Sequence, residues 1–365
     1  MKRRHSLIFA AITAVCFTLL GCSEQAASTS DQAVTPQESF NWKMVTAWPK
    51  NYPALGTSAE RVAERIKRMS NGRLTIKVYA GGELVPPLEV FDAVSRGTAQ
   101  MGHGAAYYWK GKTDTAQFFT SVPFGLSAIE MNAWLHKGDG LQLWEEAYAP
   151  FGVKPFAIGN SGMQMGGWFN KEIHSLDDLK GLKIRMPGLG GEVLNRLGAT
   201  TVNLPGSEVF TALQTNAIDA SDWVSPYNDL AFGLHKAAKY YYYPGWQEPQ
   251  AVLELIINQD AWDSLPSDLQ AIVTEAIRAG NADMLDDFTW NNARALAELK
   301  QANVQLRRFP DEVLEAMKNE STHVLKDLAS KSDLNQRIWD SMQAFQKQIT
   351  LMHEISEKEL YNWRN

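Results

Sequence analysis

The chain has 365 residues, which is enough for two domains that each bury a core. Its 45% hydrophobic and 21% charged residues are ordinary for a folded globular protein. The 41 acidic residues outnumber the 35 basic ones and give a net charge of -6, so the composition argues against a nucleic-acid partner.

The N-terminus predicts an export signal over residues 1–21. Basic residues at positions 2–4 precede an apolar stretch, and small residues follow it. The letters LLGC are typical of a bacterial lipobox in which Cys22 is acylated, and plain cleavage nearby is the alternative. Two or more acyl chains would anchor the protein stably to a membrane. Residues 22–39 are small and polar and predict a flexible tether.

From residue 40 onward, strand-like and helix-like segments alternate. The pattern predicts strands over 40–48, 74–80 and 99–109, with helices over 58–73 and 87–97 between them. Such a rhythm favours parallel sheets covered by helices.

The rhythm restarts after a helical middle over 128–149. Strands are expected over 153–160, 164–170, 182–186, 200–204, 239–244 and 251–258, with helices over 192–199 and 208–217. An amphipathic pattern then runs from Ser267 to about Ala302. At about 1.5 Å per residue this helix is roughly 50 Å long, enough to lie across two domains.

These elements predict an α/β fold with two domains that form a hinged clamshell. We expect domain I over 40–158 and 246–290, domain II over 159–245 and 291–331, and a C-terminal helix over 332–365. In open α/β sheets, ligands bind beyond the carboxyl ends of strands. The clamshell should therefore bind its ligand between the domains.

The stretch GLKIRMPGLGG places Arg185 where a strand ends and a loose turn begins. A dinucleotide fingerprint would need a third glycine at position 193, where Val193 stands, so this motif is excluded. Arg185 is then a candidate anion receptor. Asn160 and Tyr108 also stand near the ends of predicted strands.

Three oxygen-bearing side chains lie in loops rich in Trp, Gly and Pro: Gln164, Asp222 and Glu248. An isolated Asp222 or Glu248 beside tryptophan could be a helix cap or a surface charge. Their recurrence in similar surroundings favours a site for a hard cation, which prefers oxygen ligands. No Cys or His accompanies them, which disfavours zinc or a redox metal.

Several blocks carry a resemblance to a known family: WPKNYP, GELVPPLEVFDAVSRGTAQMGHGAAYYWKGK, GNSGMQMGGWF, LKIRMPGLGGEVLNRLGA, DWVSPYND and KYYYYPGWQEP. Together, over about residues 40–330, they resemble the extracytoplasmic solute-binding proteins of TRAP transporters, the DctP-type family. Members capture organic acids for a sodium-driven membrane permease. The branch with the greatest similarity is that of the 2-oxoacid binders, which includes a lactate-binding relative and holds a metal ion together with the substrate.

The resemblance implies roles for individual residues. Arg185 corresponds to the family's carboxylate-binding arginine, and Asn160 and Tyr108 would assist it. Tyr108 is preferred over Tyr107 because adjacent strand residues face opposite ways. The cation would be held by the side chains of Gln164, Asp222 and Glu248 and by the Trp223 carbonyl, and Gln164 and Trp223 would also contact the substrate.

Two positions depart from the pattern of that branch. Asp222 stands where Glu is common, and Gln247 stands where Trp is common. A shorter acid changes the distance to the ion. Two protein carboxylates and one from the substrate favour Ca²⁺ by charge, whereas the branch suggests Na⁺, and both ions remain open.

The sequence thus predicts a lipid-anchored, non-catalytic periplasmic protein that binds small 2-oxo or 2-hydroxy monocarboxylates, such as pyruvate, 2-oxobutyrate or lactate. Its partners would be this carboxylate and the TRAP membrane permease subunits. The rival interpretation is an exported metal-dependent enzyme acting on a carboxylic acid, with Glu248 or Asp222 as its base.

The C-terminal segment carries an apolar stripe at helical spacing. In the 2-oxoacid branch a similar extension forms a helix-swapped homodimer, and we expect a homodimer here. Packing of the stripe on its own domain is the alternative. The stripe consists of Ile338, Met342, Phe345, Ile349, Met352 and Ile355.

Overall fold

The structure is a computed structural model, and it describes residues 38–364. The predicted signal over 1–21, the lipidation site Cys22 and nearly all of the tether lie outside the described residues. Residues 39–364 belong to one compact unit.

The strands and helices follow one another along the chain much as the sequence predicts. The strands are β1 Phe40–Thr46, β2 Leu74–Tyr79, β3 Met101–Gly104, β4 Val153–Asn160, β5 Gly167–Phe169, β6 Lys183–Arg185, β7 Thr200–Val202, β8 Ala220–Ser221, β9 Tyr240–Tyr243, β10 Val252–Asn258 and β11 Gln305–Arg308. The helices are α1 Leu55–Met69, α2 Val90–Ser95, α3 Ala128–Lys137, α4 Gly140–Tyr148, α5 Gly188–Arg196, α6 Gly206–Gln214, α7 Pro226–Phe232, α8 Gln259–Asp263, α9 Ser267–Gln301, α10 Asp311–Ala329, α11 Asp333–Ile355 and α12 Glu357–Trp363.

The strands form two sheets, and each sheet with its helices is called a lobe here. Lobe I holds a five-stranded sheet in the order β2-β1-β3-β10-β4. Lobe II holds a six-stranded sheet in the order β11-β9-β5-β8-β6-β7. The chain passes between the lobes after β4 and again before β10, which is the crossing pattern expected of a clamshell. The exact domain boundaries remain a prediction.

Both sheets are mixed, so the expectation of parallel sheets is wrong in part. In lobe I, β10 runs antiparallel to β3 and β4, with Leu255 opposite His103 and Phe156. In lobe II, β5 runs antiparallel to β8 and β9. The alternation of strands and helices predicts a parallel sheet only while the chain stays in one lobe. The strand β10 follows β9 of lobe II and joins the sheet of lobe I, so its direction could not be predicted from the alternation.

The long helix α9 connects the two lobes. It contains 35 residues, begins after Pro266 and ends where Asn303 adopts a left-handed conformation with φ of 59°. One side of α9 packs against β4 and α1, and it also packs along α7. The amphipathic pattern predicted for this helix has its apolar side at Leu269, Ile272, Ala276, Gly280, Met284 and Phe288. All of these are buried except Ile272, which is only partly buried.

A contact of Tyr52 also links the lobes. The loop before α1 carries Tyr52 to the segment after β8, where its hydroxyl accepts a hydrogen bond of 2.6 Å from the Trp223 indole nitrogen. The same hydroxyl donates to the Asn228 carbonyl at 3.0 Å. Tyr52 also lies against Phe232, with ring centroids 4.3 Å apart. The two lobes are therefore joined directly beside Trp223.

The C-terminal segment is helical but is not one continuous helix. The helix α11 ends at Ile355 and α12 begins at Glu357, because Ser356 leaves the helical conformation with φ of -117° and ψ of -97°. The first part of the stripe, Ile338 and Met342, is buried where α11 packs against α3, α4 and α10. Met352 and Ile355, in contrast, are 55% and 77% exposed.

Among residues 38–364, no helix combines the length and the apolar character that crossing a membrane requires.

Candidate functional site

Arg185 is the last residue of β6, and its side chain is buried with 1% of its surface exposed. Its Nη1 donates to the main-chain oxygen of Asp222 at 2.9 Å and lies 3.4 Å from the Asp222 carboxylate. Its Nη2 lies 3.4 Å from the Tyr108 hydroxyl. The guanidinium carbon is 5.0 Å from the centre of the Trp223 ring, a cation–π arrangement. A buried, oriented guanidinium of this kind suits a planar carboxylate.

Hydrogen bonds join three loops around Arg185. The Asp222 amide donates to the Arg185 carbonyl at 2.9 Å, which continues the pairing of β8 with β6. The Met165 amide donates to the Val224 carbonyl at 3.1 Å, and the Gln164 amide donates to the Glu248 carbonyl at 3.2 Å. The loops that follow β4, β8 and β9 are thereby held together. The three predicted cation ligands lie on these loops.

A glycine permits the closest of these approaches. A methyl group added to Gly245 would come within 2.2 Å of the Gln164 carbonyl oxygen, which no side chain can do without displacing the backbone. The PGWQEP segment can therefore lie directly on the GMQM segment only because residue 245 has no side chain. This contact brings Gln164 and Glu248 to the same place.

The buried oxygens of the site suit a cation. Gln164 uses its Nε2 to donate to the Ser161 hydroxyl at 3.2 Å, and its Oε1 is buried without a hydrogen-bond donor. One carboxylate oxygen of Glu248, Oε2, is also buried without a hydrogen-bond donor. Buried oxygens without donors are costly unless a cation satisfies them. The donor set fits a hard cation such as Na⁺ or Ca²⁺. Within the described residues, no group of three or more His, Cys, Asp or Glu side chains forms a metal cluster.

Burial raises the pKa of both carboxyl groups. The pKa of Asp222 rises to about 7, although the charge of Arg185 opposes the rise. Burial also raises the pKa of Glu248 well above its usual range, and the nearby charge of Asp222 raises it further. Two buried acids so close together are costly as anions. A cation between them would stabilise their ionised forms.

Asp222 and Trp223 are positioned by the buried Asp229 at the first turns of α7. One Asp229 oxygen accepts from the Val224 amide at 3.2 Å. The other accepts from the Trp168 indole at 2.9 Å and from the Tyr241 hydroxyl at 2.6 Å. Asp229 therefore fixes the turn immediately after the two predicted ligands. Sequence reasoning missed it, because only the fold shows that DWVSPYND returns on itself.

Tyr107 and Tyr108 lie in a short 3-10 turn, Ala106–Trp109, and not in the strand that the sequence predicted. The strand β3 ends earlier, at Gly104. Both tyrosines line the cavity, so the argument from alternating strand faces does not apply to them. The Tyr108 hydroxyl lies 3.4 Å from Arg185 Nη2, so Tyr108 stays the predicted partner of the carboxylate, on this distance and not on strand alternation.

Asn160 is the last residue of β4, as predicted, and it is fully buried. Its Nδ2 donates to the Gln250 amide oxygen at 2.8 Å, and its Oδ1 accepts from the Gly162 amide at 2.9 Å. Both ends of the side chain thus bind the protein itself. In this conformation Asn160 shapes the loop that carries Gln164. Like Arg185, Asp222 and Glu248, it is not among the residues that line the cavity, whereas Tyr108, Gln164 and Trp223 are.

A small cavity lies between the lobes at this site. Its volume is about 10 Å³, room for roughly one water molecule, so an organic acid can enter only if the lobes part or side chains move. A larger cleft of about 350 Å³ opens on the surface between α5 and α10, and it contains none of the predicted site residues. The small cavity is lined by Trp48, Leu55, Tyr107, Tyr108, Ser161, Gln164, Trp223, Val224, Ala251 and Leu253.

Gln247 and Trp48 belong to the site although they were not predicted as ligands. Gln247 donates to the Asp222 carboxylate at 2.9 Å. Trp48 lines the cavity, and its indole nitrogen is buried without an acceptor. Trp48 stands in the WPKNYP block, and a tryptophan next to a proline in such a block is a signal from which it could have been predicted. The hydrogen bond between Gln247 and Asp222 joins residues far apart in the sequence, so no local pattern predicts it.

Comparisons with known proteins agree with this fold. Residues 44–332 match the family described as "Bacterial extracellular solute-binding protein, family 7", or DctP. The chain is 44% identical over 365 residues to the monocarboxylate 2-oxoacid-binding periplasmic protein of Nostoc sp. (strain PCC 7120), with 100% of this chain and 99% of the relative covered.

Two crystal structures are similar over most of the chain. The first is a TRAP periplasmic solute-binding protein from Pseudoalteromonas atlantica T6c with bound sodium and pyruvate; its TM-score is 0.87 at 42% identity, covering 89% of this chain and 99% of that one. The second is a TRAP transporter solute-binding protein from Bordetella bronchiseptica RB50, a dimer with calcium and picolinate; its TM-score is 0.88 at 35% identity, covering 90% and 98%. With this fold and the family match, the chain belongs to the DctP family of bacterial extracellular solute-binding proteins.

Proposed function

We propose that this protein binds small 2-oxo or 2-hydroxy monocarboxylates, of the size of pyruvate, 2-oxobutyrate or lactate, together with Na⁺ or Ca²⁺. The observation that carries the proposal is the buried Arg185 beside buried oxygens of Gln164 and Glu248 that have no hydrogen-bond donors. The names and bound molecules of the similar proteins support the same ligand class.

Each residue of the site has a separate part in this proposal. Arg185 binds the carboxylate of the substrate, and Tyr108 directs its hydroxyl toward the same region. Gln164, Asp222 and Glu248, with the Trp223 carbonyl, would hold the cation. The cation would supply a positive charge that the substrate's carboxylate and 2-oxygen can chelate together. A simple fatty acid lacks the second oxygen and would therefore bind more weakly.

The walls of the cavity favour a small apolar substituent on the acid. Trp48, Leu55, Val224 and Leu253 line it. Arg185, whose Nη2 lies 3.4 Å from the hydroxyl of the lining residue Tyr108, is the one cationic side chain among the predicted site residues, so none of them is left to pair with a second carboxylate. A dicarboxylate would bury a charge without a partner, which is costly. The site is thus suited to monocarboxylates.

The protein would then deliver its ligand to the membrane permease subunits of a sodium-driven TRAP transporter from the periplasm. Acylation of Cys22 would keep it near the membrane, with residues 22–39 as the tether. Closing and opening would occur between the lobes, with domain I over 40–158 and 246–290 and domain II over 159–245 and 291–331.

A homodimer is part of the same proposal. The exposed apolar residues of the C-terminal helices need a partner surface, and one of the similar structures is a dimer. We assign the dimer contact to the end of α11 and to α12, within residues 332–365. The apolar side chains concerned are Leu351, Met352, Ile355, Leu360, Tyr361 and Trp363, which are all more than half exposed.

Binding and catalysis can be separated by following the ligand itself. The mature protein is mixed with an equal amount of pyruvate in calcium buffer, and the solution is followed by NMR for hours. We expect the stoichiometric loss of free pyruvate, full recovery after denaturation, and no new product. Formation of a product that depends on Asp222 or Glu248 would instead establish the rival metal-dependent enzyme.

A further inference from the structure

Gln247 occupies a central place among the site loops. It follows Trp246 on the segment that enters lobe I, and only 2% of its surface is exposed. A methyl group added to Gly190 of α5 would come within 2.7 Å of the Gln247 Cβ, so the helix packs closely on this side chain. The side chain therefore has little freedom to choose another rotamer.

The hydrogen bonds of Gln247 determine how its amide is turned. Its Nε2 donates to the Met165 carbonyl at 2.8 Å and to the Asp222 carboxylate oxygen Oδ1 at 2.9 Å. A carbonyl oxygen and a carboxylate oxygen are acceptors, so a donor must face both of them. The orientation of the amide is thus fixed, and its oxygen must point away from these partners.

That amide oxygen has no donor. Gln247 Oε1 is buried without a hydrogen-bond partner, as are Gln164 Oε1 and Glu248 Oε2. The three residues are tied to one another, because the Gln164 amide donates to Glu248 and Gln247 bonds the neighbouring Met165 carbonyl. Three buried acceptors without donors on adjoining residues are a costly arrangement for a protein alone.

We propose that Gln247 is a positioning residue of the cation site, which holds the Asp222 carboxylate through its amide nitrogen. This inference rests on the proposed function. Asp222 is held from two sides, by Gln247 at Oδ1 and by Arg185 near Oδ2. The short side chain of Asp222 is thereby kept in one orientation without help from the ion.

The first test replaces the amide by an apolar group of similar size, in Gln247→Leu. Calcium and sodium affinities are measured by calorimetry with pyruvate held at a saturating concentration. Loss of a residue that orients a metal ligand costs roughly 10- to 100-fold in metal affinity, and we expect a loss in this range. Affinities within about twofold of the wild type would overturn the proposal.

A matched control is available on α9. Asn281 is also a buried amide, whose Nδ2 donates to Asn132 at 2.9 Å and whose Oδ1 lacks a partner. Asn281→Leu removes the same kind of group from a place outside the site. It should lower the free energy of unfolding without changing either cation affinity. A control that weakened cation binding as much as Gln247→Leu would also overturn the proposal.

A second variant, Gln247→Glu, separates positioning from a merely structural role. It keeps an oxygen on the amide-oxygen side, removes the donor to Asp222 and adds a negative charge. We expect sodium affinity to fall more than calcium affinity, so that the ratio of the two shifts toward calcium. Equal changes in the sodium and calcium affinities would contradict the proposal. This test does not depend on whether Gln247→Leu folds.

The wild type distinguishes this inference from the function on which it rests. If the wild-type protein binds pyruvate without any dependence on a cation, the proposed function fails. If wild-type binding depends on a cation and the Gln247 variants behave like the wild type, only the role of Gln247 fails.

Discussion

Arg185 is the single residue on which carboxylate binding most depends in this account. Arg185→Lys keeps the charge but loses the planar pair of donors, so the affinity for pyruvate should fall by about 1.5–3 kcal/mol, or roughly 10- to 150-fold. Ligand at about 100 times its Kd adds about 2.7 kcal/mol to the free energy of unfolding. Wild type should therefore show a thermal shift with pyruvate that the variant lacks at equal concentration.

Arg196→Lys provides the control for this experiment. Arg196 lies on α5 and pairs with Asp327 at 2.8 Å on the protein surface. Its replacement should leave the pyruvate-induced shift unchanged. If Arg185→Lys binds pyruvate as tightly as the wild type, Arg185 is a structural residue and the site is assigned wrongly.

Glu254 predicts a pH dependence of stability that does not involve the ligand. Its carboxyl group is fully buried in β10 and accepts from the Trp109 indole and, at 2.9 Å, from the Tyr148 hydroxyl. Burial raises its pKa from 4.5 to about 7. Since the pKa is higher in the folded state, its contribution to stability is present below about pH 4.5 and is lost as the pH rises through 7.

Glu254→Gln cannot lose a proton and removes this dependence. Between pH 4.5 and 8, the free energy of unfolding of the wild type should fall relative to that of the variant by up to about 3 kcal/mol. Urea unfolding of both proteins across this range measures the difference, and the contributions of other titrating groups cancel. Parallel curves for the two proteins would show that Glu254 does not titrate in this way.

Local sequence patterns predicted part of the candidate site and could not predict the rest. Arg185, Asp222 and Glu248 stand in loops whose composition is unusual, and the structure brings them together. Asp229 and Gln247 act through contacts with residues distant in the sequence, which no local pattern can show. Asn160 was placed correctly at the end of β4, but its hydrogen bonds to Gln250 and Gly162 appear only in the fold.

At the level of elements, long periodic segments were predicted best. The helix α9 runs within one residue of its predicted end, because its buried stripe continues for many turns. The two-residue strand β8 and the short helices α7 and α8 were missed, since so few residues establish no periodicity. The break at Ser356 was also missed, because the apolar stripe continues up to Ile355 without a proline or glycine.

The end of α11 carries the prediction of a dimer. Replacing Leu351 and Ile355 by Glu places charges on two residues that are 65% and 77% exposed, so the folded monomer should tolerate them. Light scattering should show a dimer for the mature wild type and a monomer for the double variant. The matched control is Trp290→Glu, an exposed apolar residue on α9 that is 69% exposed, and it should remain dimeric.

This variant is a sharper test than removal of the whole segment from residue 333. Ile338, Trp339 and Met342 are buried where α11 packs against α3, α4 and α10, and Asn335 accepts from the buried Thr115 hydroxyl. Truncation at 333 would therefore expose part of the core, and loss of the dimer through unfolding could not be distinguished from dissociation of folded monomers. A monomeric wild type at micromolar concentration would contradict the proposed dimer. A double variant that remains dimeric would contradict the assignment of the dimer contact to the end of α11.

At the scale of the whole molecule, two mixed sheets meet at a buried site that is joined by Tyr52 and by α9. The order of elements followed from the sequence. The antiparallel direction of β10 did not follow from the sequence. It depends on the chain returning to lobe I from lobe II, which the local pattern of residues does not show. The cavity of about 10 Å³ shows the lobes closed tightly over the site, and ligand entry requires them to move.

The central claim is that a cation and the acid bind together, and calorimetry of the stripped protein tests it most directly. The mature wild type is unfolded, freed of bound ligand and ions with a chelator, refolded, and titrated with pyruvate in calcium, in sodium, and in buffer without either ion. We expect one pyruvate per chain in calcium or sodium and a loss of most of the affinity without them. Undiminished pyruvate binding in the cation-free buffer would contradict the account.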